Sequence, residues 1–130
     1  MTNRIVSQPA ILIDLKKYRI RIYKHTIHSL GDPEYILLLV YPQSRSISIE
    51  RSSRLDKRAH HLVRSPSDNH RSPEFFSRQL IRTLFNLCGQ WQKDCSYRIY
   101  GKTTPSDRVA RFNIADSILF VNNEVKDYGI

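Results

Sequence analysis

A chain of 130 residues, 40% hydrophobic and 10% aromatic, has the length of one domain and can bury a core without covalent staples. Twenty-one Lys and Arg against twelve Asp and Glu give a net charge of +9, with a pI near 9.9. This composition excludes a disordered acidic segment, and no apolar run approaches the roughly 18 residues of a membrane helix.

Residues 1–9 read as a polar arm without the apolar core of a signal peptide, so a cytoplasmic protein is the expectation. Residues 10–15, AILIDL, predict a short buried strand, which Lys16-Lys17 interrupts. Residues 18–23 then alternate. Tyr18, Ile20 and Ile22 share one face, while Lys17, Arg19, Arg21 and Tyr23 share the other. Residues 24–30 predict a short helix with Ile27 and Leu30 inward and Gly31 as its cap. Asp32-Pro33 forbids continuation, because proline cannot donate and its predecessor avoids helical angles. Residues 35–41 are almost wholly apolar and predict a strand covered on both faces. After the turn Pro42-Gln43-Ser44, residues 45–50 predict a half-exposed strand with Ile47 and Ile49 inward.

Residues 52–73 read as a basic connection with room for one short strand at 61–64. Its sparse apolar content cannot offset the entropy of ordering it, so greatest mobility is expected at 64–70. Ser72-Pro73-Glu74 carries helix-start signals, predicting the principal helix over 75–87. Phe76, Leu80, Ile81, Leu84 and Leu87 would point inward, and Arg78, Gln79 and Arg82 outward. Two more strands are expected at 94–100 and 108–114, around a polar turn at 101–107. Residues 116–121 predict a last strand or helical turn, and the tail beyond should fray.

No catalytic signature is visible. Four glycines supply no phosphate-cradling loop, and neither a nucleophile elbow nor a two-histidine metal motif occurs. The expectation is a protein that is not an enzyme and uses no cofactor or metal. His25 and His28, three apart on the short helix, read first as surface histidines. Cys88 and Cys95 fit no zinc or redox spacing and read as buried thiols, pairing only in an oxidising compartment.

The basic constellation is richer. Lys16, Lys17, Arg19, Arg21 and Lys24 place five cations within nine residues, interleaved with Tyr18 and Tyr23. Cations on a rigid strand fix phosphates, and a tyrosine stacks or hydrogen-bonds. The expected nucleic-acid-binding residues are Lys17, Arg19, Arg21 and Lys24, with Tyr23 and His28 at the rim. Arg78 and Arg82, at i and i+4 on the long helix, would extend that surface. An ordinary wet strand face carrying charge weighs evenly against this reading.

Residues 19–31, RIRIYKHTIHSLG, followed by a hairpin ending in SRSISIER, resemble the DNA-binding domain of the AbrB-type transition-state regulators. That family has a strand, a one-turn helix closing in Leu-Gly, then two strands, and two copies normally exchange hairpins to form one barrel. Ile20, Ile22 and Leu30-Gly31 correspond in type and spacing, and Arg19 falls where the family often has a DNA-contacting arginine. Tyr23 replaces the family's usual proline, and Ile27-His28 replaces its arginine pair. Residues 74–114 make a looser second copy, so the resemblance implies one chain supplying both halves.

The expected fold is α+β: a mostly antiparallel small β-barrel or sheet of six to eight strands, built from two strand–helix–hairpin units, with one long and one short helix. It would form a single domain, with a first unit at 10–51 and a second at 74–121. The expected function is a small bacterial nucleic-acid-binding protein, DNA before RNA, acting as a regulator or mobile-element accessory. The alternative is a protein-interaction module whose strand 45–50 pairs with a partner's edge. A homodimer stays open; a membrane partner is not expected.

Overall fold

The computed structural model describes residues 8–62 and 72–121. Among these, nine strands form one antiparallel sheet: β1 (Ala10–Asp14), β2 (Arg19–Ile22), β3 (Tyr35–Tyr41), β4 (Ser46–Ser52), β5 (His60–His61), β6 (Glu74–Phe76), β7 (Ser96–Thr104), β8 (Val109–Asn113) and β9 (Ile118–Phe120). Two helices, α1 (Lys24–Ser29) and α2 (Arg78–Leu87), have six and ten residues. The architecture is therefore mostly β rather than α+β, and the longer helix is modest.

The strands run in the order β5-β3-β4-β8-β7-β1-β2-β6, with β9 beside β7. The sheet curls into a nearly closed barrel. Its two ends meet where the rings of His60 and Phe75 stack, centroids 4.2 Å apart. The two hairpins, β3–β4 and β7–β8, are joined through the β4–β8 ladder into one continuous sheet.

The pairing has an internal symmetry. Exchanging β1 with β5, β2 with β6, β3 with β7 and β4 with β8 returns the same ladders, except at the β5–β6 seam and for the additional β7–β9 pair. Two hydrogen bonds repeat across β2 and β6: Ile22 N donates to Pro73 O at 2.9 Å, and Ser77 N donates to Tyr18 O at 3.0 Å. Each half thus follows a strand–strand–helix–hairpin order.

The core fills from one face of every strand, as the two-residue period requires. Ile11, Ile13, Ile20, Ile22, Ile36, Ile47, Ile49, Ile99 and Phe112 are all buried inside the barrel. Ile27 of α1 and its C-cap Leu30, with Ile81 and Leu84 of α2, join this core. Each such side chain contributes about 2 kcal/mol of hydrophobic stabilisation. Thr26 anchors α1 by accepting from Ala10 N at 2.7 Å and donating to Ala10 O at 3.0 Å. Gly31, at φ +85, ends that helix, and Asp32 N donates back to Ile27 O at 3.0 Å.

Four expectations are corrected. Residues 74–76 are not helical: Phe75 stands opposite Ile20 in the β2–β6 ladder, and tertiary pairing overrides the start signals at Ser72-Pro73. Phe76 consequently points outward, 66% exposed. The helix begins after Ser77, whose hydroxyl accepts from Leu80 N at 3.2 Å. β7 continues through residues 101–104, assigned above to a turn, because they pair with β8. Over Ser46–Ile49 the strand expected at 45–50 is paired on both sides, since β4 lies between β3 and β8 there. The anticipated mobility at 64–70 lies outside the described residues. Cys88 and Cys95 are free, half-buried thiols packed against the core.

Candidate nucleic-acid interface

On β2, Arg19 and Arg21 do share the outer face, but that face is not an open line of cations. The β1–β2 register sets Asp14 opposite Arg19, and the β2–β6 register sets Glu74 opposite Arg21. Arg19 Nη2 lies 2.9 Å from Asp14 Oδ2, and both arginines approach Glu74 Oε2 at 3.4 Å. The Arg19 side chain is only 18% exposed and that of Asp14 8%. Arg19 is thus a structural partner of Asp14, correcting the expectation of an exposed phosphate contact.

The other predicted residues divide between the ends of β2. At its start, Lys17 sits in the turn beside Tyr18, and the Arg78 guanidinium lies 5.0 Å from the centre of the Tyr18 ring. Arg82 is exposed one turn further along α2. Lys17, Arg78 and Arg82 are therefore gathered at one end of the barrel. At the other end, Lys24 N donates to Ser72 Oγ at 3.2 Å. His28 Nδ1 stands 2.6 Å from Asp32 Oδ1, an exposed pair within one helical turn.

A stripe of alternating cations and an aromatic does exist, on β7. Arg98, Tyr100 and Lys102 follow at two-residue spacing on its outer face, beyond the core residues Tyr97 and Ile99. Arg98 donates from Nε to Tyr23 Oη at 3.2 Å and from Nη1 to Tyr100 Oη at 3.3 Å. Its guanidinium also lies 4.6 Å from the centre of the Phe120 ring. Burial opposes its charge, while the Tyr100 and Tyr23 hydroxyls favour it, and the balance raises its pKa. No carboxylate approaches Arg98 or Lys102 among the described residues. Tyr23, expected at the rim of the interface, accepts this hydrogen bond and orients the arginine.

Lys102 stands directly opposite Arg111 of β8. Like charges in register across an antiparallel pair destabilise it. Arg111 Nη2 finds partial relief at Asp107 Oδ2, 3.1 Å away, and that contact holds the Asp107 carboxyl below its usual range. Both cations line a cleft of about 1030 Å³ over β4, β8 and β7, which also takes in Tyr41, Tyr100 and Asn113 and the carboxylates of Glu50 and Asp116.

Two further acids are paired locally. Glu34 pairs with His61, and Asp56 with Arg58, whose hydrogen bonds lower the Asp56 pKa. Lys17, Arg78, Arg82, Arg98 and Lys102 are among the cations that have no carboxylate partner among the described residues. No protein-family model, curated protein or solved structure matches this chain.

Proposed function

We propose that this protein binds nucleic acid, duplex DNA in preference to RNA, along the outer face of β7. The observation that carries this reading is the Arg98-Tyr100-Lys102 stripe on β7 with Arg111 beside it. Tyr100, Lys102 and Arg111 line a cleft that Glu50 and Asp116 also border, and neither Arg98 nor Lys102 has a carboxylate partner among the described residues. A phosphate backbone laid there replaces like-charge repulsion with charge-assisted hydrogen bonds, and the Tyr100 ring offers a stacking or hydrogen-bonding surface. Lys17, Arg78 and Arg82 supply a second cationic patch around Tyr18.

The DNA preference rests on the resemblance of residues 19–51 to an AbrB-type half-barrel. The symmetric pairing supports a duplicated, single-chain form of that architecture, in which β3–β4 and β7–β8 are the exchanged hairpins. On this reading β5 opens the second unit, and the protein is a small cytoplasmic DNA-binding regulator. The test is duplex binding against salt: affinity should fall steeply, by about 0.9 in log–log slope per phosphate neutralised.

One observation favours a second reading, a protein-interaction module. Among the described residues β9 pairs only with β7, and Ile118 and Leu119 are 56% and 49% exposed on it. A partner strand added there would extend the sheet. Change in elution volume with protein concentration, abolished by Leu119→Lys, would support a homodimer through this edge.

A further inference from the structure

Gly31 holds a left-handed φ of +85, and a Cβ built on it would sit 2.9 Å from Arg108 Nη1 and 3.2 Å from Arg51 Nη1. Two guanidiniums, one from the β7–β8 turn and one from β4, therefore converge on a single backbone point. The left-handed φ favours glycine at this point, and the two arginine side-chain ends close over it. Neither guanidinium has a hydrogen bond or a carboxylate partner among the described residues, and both residues are exposed.

The convergence is built into the backbone. Arg108 itself has a left-handed φ of 53, an uncommon conformation for a residue with a side chain. Its N–H donates to Thr104 O at 2.8 Å, fixing the turn. The Ser29 and Thr103 hydroxyls, 3.1 Å apart, tie the end of α1 to β7 and hold the Gly31 side of the site. The opposite end of the barrel lacks the pair. Arg45, at φ 49, matches Arg108 in the β3–β4 turn, but buried Ile114 occupies the position that Arg51 has here.

We propose that Arg51 and Arg108, meeting over Gly31, form a binding site for a tetrahedral oxyanion of the phosphate class. Two cations held side by side repel until an anion bridges them, and guanidinium forks present paired N–H donors that fit phosphate oxygens. The oxyanion is either a free phosphate or a phosphate of a nucleic-acid backbone. The site lies in the β7–β8 turn and at Gly31, so it does not depend on the β7 stripe.

Inorganic phosphate titrated into the full chain, with ionic strength held constant by chloride, tests this directly. Saturable NMR shifts are expected at the Gly31 amide and at the Nε–Hε groups of Arg51 and Arg108. Phosphate should also raise Tm over equal-strength chloride, and Arg51→Gln or Arg108→Gln should abolish that rise. A short DNA duplex that moves the same signals and blocks the phosphate response identifies the backbone as the source. A duplex that leaves them unmoved while phosphate shifts them identifies free phosphate. Absence of shifts with either probe overturns the proposal, as does an equal phosphate response in both variants. A lower Tm of both variants in chloride alone, with the phosphate response intact, would make the arginines caps of α1 and would also overturn it.

Discussion

Asp14 and Arg19 face each other across the β1–β2 hairpin with 2.9 Å between Oδ2 and Nη2, and Asp14 Oδ1 also accepts from Lys16 N at 3.0 Å and Lys17 N at 3.1 Å. One carboxylate therefore closes the turn and neutralises a largely buried arginine. Arg19 Nε, buried and without a partner among the described residues, adds to the cost of disturbing this arrangement.

Removing one member of such a pair leaves the other charge buried. Arg19→Ala should cost about 3 kcal/mol of stability. Arg21→Ala, whose partner is half exposed and more distant, should cost under about 1 kcal/mol. Urea unfolding of the two variants checks the order; equal losses would contradict a special role for Asp14.

Gly101 marks the residue at which β7 passes from its β1 ladder to its β8 ladder. A Cβ there would lie 2.3 Å from Arg111 O and 2.5 Å from Phe112 Cδ1, both fixed parts of the barrel. Gly101→Ala should therefore cost about 3 kcal/mol by overpacking. Gly89→Ala is the control: its Cβ would meet nothing within 4 Å, and the loss of unfolded-state entropy should stabilise by about 0.5 kcal/mol. Thermal melts of both variants separate the two effects.

His60 is half buried against Phe75, and burial pushes its pKa below the ordinary 6.5. Above 6.5 both folded and unfolded chains carry the neutral ring, and the stability it confers is fully present. As pH falls below 6.5, the unfolded chain takes up a proton that the folded chain resists, so stability declines until the lowered folded pKa is passed. His60→Phe keeps the stack and removes this component. The variant should lose less stability than the parent between about pH 7.5 and about pH 5.5. An unchanged pH dependence would place His60 outside the linkage.

Much of the barrel was legible because local pattern and tertiary placement agree. The apolar run at 35–41 became β3 to the residue, and Leu30-Gly31 closes α1. The start of α2 was misplaced because both Ser72 and Ser77 carry cap signals, and only the Ile20–Phe75 pairing decides between them. The candidate site was legible only in type. A basic strand declares its charge, but the proximity of Asp14 and Glu74 depends on two ladder registers that sequence spacing does not reveal. Lys102 was overlooked because its stretch, Gly101-Lys102-Thr103-Thr104, reads as a turn. One signal could have corrected this. Pro42-Gln43-Ser44-Arg45 and Pro105-Ser106-Asp107-Arg108 repeat the same turn, each ending in an arginine with positive φ, and that match carries β7 through to Thr104.

Duplex-binding affinity measured against salt concentration, for the parent and for Lys102→Ala, tests the central claim most directly. Lys102 is exposed and without a carboxylate partner among the described residues, so the variant should fold with unchanged stability. The account predicts a steep salt dependence in the parent and a slope shallower by about 0.9 in Lys102→Ala, across unrelated sequences. A parent that binds no duplex, or a variant with the same slope, would contradict the β7 interface.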